Sequence, residues 1–178
     1  IRKGKQKALN EAQSAQQFTQ LMDRLESTDF EHYEISNFAK PNRYSRHNSN
    51  YWQEIAYLGI GPSAHSFNGK TRQWNIANNS AYVRSIENKI IPAEVETLTT
   101  TNRINEYILT TLRTSRGMNL SKIKQSFGEN YTIMIEHSLE QFLKKDWIEL
   151  SNNIAILTKK GKLFADHITA ELFIEEQN

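Results

Sequence analysis

Apolar residues recur along this chain at two different periods. From Asn10 to Leu25, the residues Ala12, Ala15, Phe18, Leu21, Met22 and Leu25 fall at three- and four-residue steps, which puts them on one face of an amphipathic helix. From His32 to Phe38 the period drops to two: Tyr33, Ile35 and Asn37 face one way, Glu34, Ser36 and Phe38 the other. Both faces of that expected strand carry polar groups. Glu34, Ser36 and Asn37 are costly to bury without partners, so the strand is expected to line a site. Lys40-Pro41-Asn42 ends it. Asn48 is placed to cap a short helix through Trp52, and Ala56 to Ile60 reads as a second strand closed by Gly61-Pro62. Core packing claims the apolar run Ile55 to Ile60. Helix, strand, short helix and strand make a β/α alternation of the kind found at the end of a parallel sheet or barrel.

Asn79-Ser80 opens another amphipathic helix, with Tyr82, Val83, Ile86 and Ile90 expected inward, and Pro92 marks a boundary between two units. The pattern then changes to short helices. Ile104, Tyr107, Ile108 and Leu112 mark one, stopped by Gly117, where a left-handed residue is expected. Leu120 to Phe127 makes a second, and Tyr131 to Lys145 a third with Ile135, Leu139, Phe142 and Leu143 inward. Strands at Trp147 to Leu150 and Ile154 to Leu157 flank Ser151-Asn152-Asn153, which suits a tight hairpin. Thr158 caps a last helix bearing Phe164, Ile168 and Leu172. Three helices, a hairpin and a helix form a winged-helix-like module.

Composition narrows the function classes. A hydrophobic fraction of 38% and a charged fraction of 24% over 178 residues describe a folded chain able to bury a core. Lys plus Arg number 22 against 20 acidic residues, a balance that favours neither nucleic acid nor an acidic tail. No apolar run reaches the roughly 20 residues that span a bilayer, and IRKGKQKALN has no secretory core, so no integral membrane segment and a cytoplasmic address are expected. There is no cysteine. Disulfides, thiolate nucleophiles and iron–sulfur ligation by these residues are thereby removed. The start at Ile1 without a Met, followed by a basic polar run, reads as a piece of a longer polypeptide.

The chemistry concentrates in SRHNSNYWQEIAYLGIGPSAHS, Ser45 to Ser66. His47 and His65 are candidate ligands to a metal or haem iron through imidazole nitrogen, against the structural role that His32, His137 and His167 are expected to play. Asn48 can orient an imidazole through its amide, and Tyr51 and Trp52 offer flat apolar faces suited to a planar macrocycle. Gly59-Ile60-Gly61-Pro62 lacks a third glycine and loses a donor at Pro62, so it is a poor phosphate cradle. Its glycines instead allow a flat ligand or another chain segment to approach the main chain. Duplex recognition by the winged helix would use Lys159, Lys160 and Lys162, yet Glu136 and Glu140 on the third helix and Asp146 just after it repel phosphate. A packing module is the favoured reading.

YEISNFA at Tyr33, HNxxYW at His47, LGIGPSAHS at Leu58 and LTxxG at Leu157 follow one another in an order that resembles the oxygen-independent coproporphyrinogen III oxidase-like proteins of the radical S-adenosylmethionine superfamily. HNxxYW is similar to the signature of that family's haem chaperone branch. The resemblance implies that residues 1–92 are the last β/α units of a partial (β/α) barrel and 93–178 a winged-helix-like C-terminal domain, an α/β and α+β combination. It carries over His47 as the residue contacting haem iron, with Asn48, Tyr51 and Trp52 completing the motif, and it places Gly59, Gly61, His65, Glu34 and Asn37 at the cofactor side of the barrel mouth. It implies haem as the bound group and haem-accepting apo-proteins as partners, with self-association of the piece covering a raw sheet edge. Family members hold a [4Fe-4S] cluster and S-adenosylmethionine through a CxxxCxxC loop that this sequence lacks. Radical chemistry, including the oxidase's propionate decarboxylation, is therefore not expected of these residues alone.

Overall fold

Asn10 starts the first helix by accepting from the Gln13 N–H at 2.7 Å, and α1 runs over Glu11–Glu26. The computed structural model describes residues 10–175; the basic run ahead of Asn10 lies outside them. Then come β1 (Glu31–Glu34), β2 (Asn37–Ala39), α2 (Arg46–Trp52), β3 (His65–Phe67), β4 (Thr71–Asn75), α3 (Asn79–Glu87), β5 (Ala93–Thr97) and α4 (Thr100–Leu112). The chain continues through β6 (Met118–Asn119), α5 (Leu120–Phe127), α6 (Glu129–Lys144), β7 (Ile148–Ser151) and β8 (Ile154–Leu157), and a 3-10 turn at Gly161–Phe164 leads into α7 (Ala165–Glu171). The expected mixed α/β class is found. Among the described residues every ladder is antiparallel: β1 with β2, β3-β4-β5, and β6-β8-β7.

Contacts divide the chain into two compact units, one formed by the segments through Ser45 and Thr111–Leu172, the other by Arg46–Thr110 and the segment from Phe173. In the first, Ile135, Leu139, Phe142 and Ile168 are fully buried, as the helical periodicity predicts, and Ile123 of α5 joins them. Asn119 caps α5 through the Lys122 N–H at 3.1 Å, and Gly117 takes the expected left-handed φ of 71°. Asn152 and Asn153 have φ of 51° and 61°, the double left-handed conformation that joins β7 and β8 without splaying them. Thr158 accepts from the Gly161 N–H at 2.9 Å and opens the 3-10 turn. Within this unit the order β6, α5, α6, β7, β8 pairs two helices with a three-stranded sheet, β6 being a strand that a two-residue segment does not announce in sequence.

The expected strand from His32 to Phe38 is instead a hairpin. Glu34 turns the chain back on itself: its carboxylate accepts from the Ser36 N–H at 2.9 Å and from the Asn37 amide. On its other edge β1 is tied to Thr114 by a single bridge, flanked by Ile35 N–H to Arg113 carbonyl at 2.9 Å and Ser115 N–H to Tyr33 carbonyl at 3.0 Å.

In the second unit Ala56 to Ile60 is not a strand either. Only Tyr57 pairs, exchanging two 2.9 Å hydrogen bonds with Phe67, while Leu58 and Ile60 are 76% and 84% exposed. The apolar run therefore does not form core. Val83, Ile86 and Ile90, expected inward, are also exposed, and Ile90 lies beyond the end of α3. Asn48 sits inside α2 rather than at its cap.

Candidate functional site

His47, Asn48, Tyr51 and Trp52 lie on the seven-residue helix α2, and the four-residue step from His47 to Tyr51 is the spacing that makes helix neighbours. The two rings meet edge to face with centroids 5.0 Å apart. Tyr51 meets Tyr57 in the same way at 4.8 Å, and Tyr57 lies 6.2 Å from Phe67 on β3. These rings form a continuous aromatic row from the exposed His47 inward to the sheet. A cavity of about 380 Å³ opens beside them, lined by Tyr51, Trp52, Ile55, Tyr57, Phe67 and Leu109, with Glu54, Arg72, Glu106 and Thr110 as its polar wall. Its volume falls in the range of small-molecule pockets, about 300–1,000 Å³. Arg72 of β4 is ion-paired with Glu106 of α4 in that wall. Burial pushes the Tyr57 phenol above its ordinary value, an effect that the Arg72 charge partly opposes.

Gly59 and Gly61 serve different ends. A Cβ on Gly59 would lie 2.1 Å from the His65 carbonyl oxygen, so Gly59 allows one chain segment to lie against another. Gly61 has open space around it but a φ of 106°. Their loop is held from three sides. Asn75, buried, donates from Nδ2 to the Gly61 carbonyl at 2.9 Å and the Gly59 carbonyl at 3.4 Å; Gly59 N–H donates to Ser66 Oγ at 3.0 Å; Gly61 N–H donates to the Tyr82 hydroxyl at 3.2 Å. His65 is exposed, pairs in register with Trp74 and has its ring 6.5 Å from the indole.

Glu34 and Asn37 belong to the other unit. Glu34 is 2% exposed and accepts from Arg113 Nε at 3.1 Å in addition to Ser36 and Asn37. Three donors on one buried carboxylate give it a complete structural role in the hairpin.

Sequence reasoning missed Tyr57, Phe67, Arg72, Glu106 and Asn75. Tyr57 and Phe67 flank the motif blocks and carry the aromatic signal that could have found them. Arg72 and Glu106 meet across 34 positions with no local pattern to reveal it.

In the first unit, His32 Nε2 bonds the Ile35 carbonyl at 3.0 Å and its Nδ1 lies 3.1 Å from Lys162 Nζ. The imidazole stacks on Phe38 at 4.0 Å and meets Phe18 edge-on. Burial lowers the pKa of both His32 and Lys162. The lysines that a basic wing would need are all engaged: Lys159 with Asp23 and Glu26, Lys160 with the Lys145 carbonyl, Lys162 with His32.

Residues 98–164 match the HemN C-terminal domain. The haem chaperone HemW of Bacillus subtilis is 29% identical over 169 residues, covering 94% of this chain and 45% of that protein. HemW of Mycobacterium tuberculosis is 27% identical, covering 97% and 42%. The solved structure of coproporphyrinogen III oxidase (HemN) from Escherichia coli, a radical SAM enzyme, superposes with a TM-score of 0.71 at 16% identity, covering 93% of this chain and 42% of that one. Over most of its length the chain is thus similar to haem chaperones of the HemW type, and its fold is similar to part of HemN. It spans less than half the length of these relatives. Among the described residues, no group of three or more His, Cys, Asp or Glu could hold a metal ion, and no helix is long and apolar enough to cross a membrane.

Proposed function

We propose that this chain is part of a haem chaperone and supplies haem-binding surface, with His47 as axial ligand to the iron and acceptor apo-proteins as the destination of the cargo. The observation that carries the reading is the exposed His47 imidazole at the open end of an aromatic row, beside a largely apolar cavity. An exposed imidazole can reach an iron without a conformational change, and flat rings next to it offer the macrocycle dispersion contact while one edge stays wet. An open site of this kind suits cargo that must leave. Sequence relatives covering most of the chain are named haem chaperones, which supports this reading over the oxidase.

Asn48, Tyr51 and Trp52 complete the surface in this proposal, and Gly59 and Gly61 shape the loop that leads to His65 at the start of β3. Haem bound here would meet His47 at the iron and Tyr51 at the ring. The [4Fe-4S] cluster would have to be held outside these residues, which include no cysteine to supply a thiolate, and S-adenosylmethionine is assigned with it to the full-length protein.

A haem titration followed through the Soret band, repeated with His47→Ala, tests the proposal. A saturable shift lost in the variant is expected, both in this chain and in the full-length protein. A shift unchanged by His47→Ala in the full-length protein would remove His47 as the ligand.

A further inference from the structure

A second cluster of titratable groups lies in the unit that carries α1 and the β1–β2 hairpin. A cavity of about 160 Å³ is walled by Met22, Leu25, Phe30 and Phe38 together with Glu26 and Lys159, and Lys162 and His32 face it. His32 Nε2 lies 3.0 Å from the Ile35 carbonyl, which can only accept, so Nε2 carries the proton and Nδ1 presents a lone pair. Lys162 Nζ donates to that lone pair at 3.1 Å. The geometry is an amine hydrogen-bonded to a base, half-buried beside a small cavity whose walls are part apolar and part charged. We propose that Lys162 is a nucleophilic amine and a modification site for small acyl electrophiles of the acyl phosphate class, with His32 as the base that takes its proton.

The charged groups around the pair favour this role. From α1, Asp23 and Glu26 are both bound to Lys159, and Glu34 of β1 is bound to Arg113, so none of these carboxylates is bonded to Lys162. Glu26 still favours the ammonium from a distance, but burial outweighs it and Lys159 adds repulsion. Lys159, three residues away, is shifted the opposite way by hydrogen bonds to Asp23 and Glu26. Neighbouring lysines thus provide a built-in comparison. In the step itself, the ammonium loses one proton to solvent and the nitrogen lone pair attacks the acyl carbon. The bond from acyl carbon to phosphate oxygen breaks, its electron pair leaves on the phosphate, and the second nitrogen proton passes to His32 Nδ1 and on to solvent.

The test incubates the intact protein with acetyl phosphate and follows acetylation of each lysine by mass spectrometry from about pH 6 to 10. Lys162 is expected to react severalfold faster than Lys159 near neutral pH, because burial favours its free amine whereas hydrogen bonds to Asp23 and Glu26 hold Lys159 as the ammonium. Its rate is expected to level off at lower pH than that of exposed Lys144. His32→Gln should slow Lys162 by about tenfold or more and leave Lys144 unchanged. A Lys162 rate no greater than that of Lys159, or a pH profile that coincides with that of Lys144, overturns the proposal. The wild-type profile decides even where His32→Gln fails to fold.

Discussion

Arg113, just beyond the end of α4, donates from Nε to the buried carboxylate of Glu34 at 3.1 Å and from Nη1 to the exposed Asp166 at the same distance. One guanidinium therefore joins the hairpin turn to the start of α7. Removing one member of a buried pair leaves the other charge uncompensated, a loss of about 3–5 kcal/mol. Glu34→Ala is expected to destabilise the protein by about that amount in chemical denaturation. Arg113→Ala should cost nearly as much, and the double variant less than the sum of the two. Additive losses would show that the pair is not coupled. Loss of haem binding by Glu34→Ala with stability intact would instead make Glu34 a site residue.

Stability should also depend on the protonation of His32. Burial holds its pKa below the ordinary 6.5, with Lys162 acting in the same direction and the Ile35 hydrogen bond only partly opposing. As pH falls below that ordinary value the unfolded chain takes up a proton that the folded protein refuses, so stability falls with pH. Its contribution is full above the unfolded pKa and is lost as pH drops through the lower, folded one. The unfolding midpoint should drop as pH falls below 6.5, and His32→Gln should flatten that part of the slope. A slope unchanged in the variant would assign the dependence to other groups.

The β7–β8 turn offers a test of backbone conformation alone. Asn152 and Asn153 both sit at positive φ, where a non-glycine residue other than Asn or Asp costs roughly 1–2 kcal/mol. Asn152→Ala is expected to lose about that much in thermal unfolding, whereas Asn152→Gly should be near neutral. Equal losses for Ala and Gly would mean that the Asn side chain, not φ, sets the turn.

These cases also mark what could be read from the sequence. The helices α1, α4, α5 and α6 were legible because their determinants are local: a cap at Asn10 or Asn119 and a repeat of apolar residues every three or four positions. The sheet β3-β4-β5 was not, because TRQWN and AEVET carry little apolar alternation and are held by pairings such as Arg72 with Glu96 that exist only across the fold. His32 to Phe38 had the period of a strand, but the carboxylate of Glu34 folds it into a turn, an effect of one side chain on two later backbone groups that periodicity does not register. In the candidate site, the contact between His47 and Tyr51 follows from helical spacing. The Arg72–Glu106 pair and the burial of Asn75 follow only from tertiary structure.

The two glycines of the LGIGPSAHS block separate packing from conformation within that site. A methyl group on Gly59 would collide with the backbone of His65, which cannot swing away as a side chain could, and the Tyr57–Phe67 bridge two residues earlier would have to open. A methyl on Gly61 meets nothing and strains only φ. Gly59→Ala is therefore expected to disturb the row Tyr51–Tyr57–Phe67, visible as a changed near-ultraviolet aromatic signal and a lowered unfolding midpoint. Gly61→Ala should lose about 1–3 kcal/mol with the aromatic signal retained. If haem binds through His47 against that row, Gly59→Ala should weaken it and Gly61→Ala should not. Equal effects from the two substitutions would show that the loop, rather than the aromatic row, governs the site.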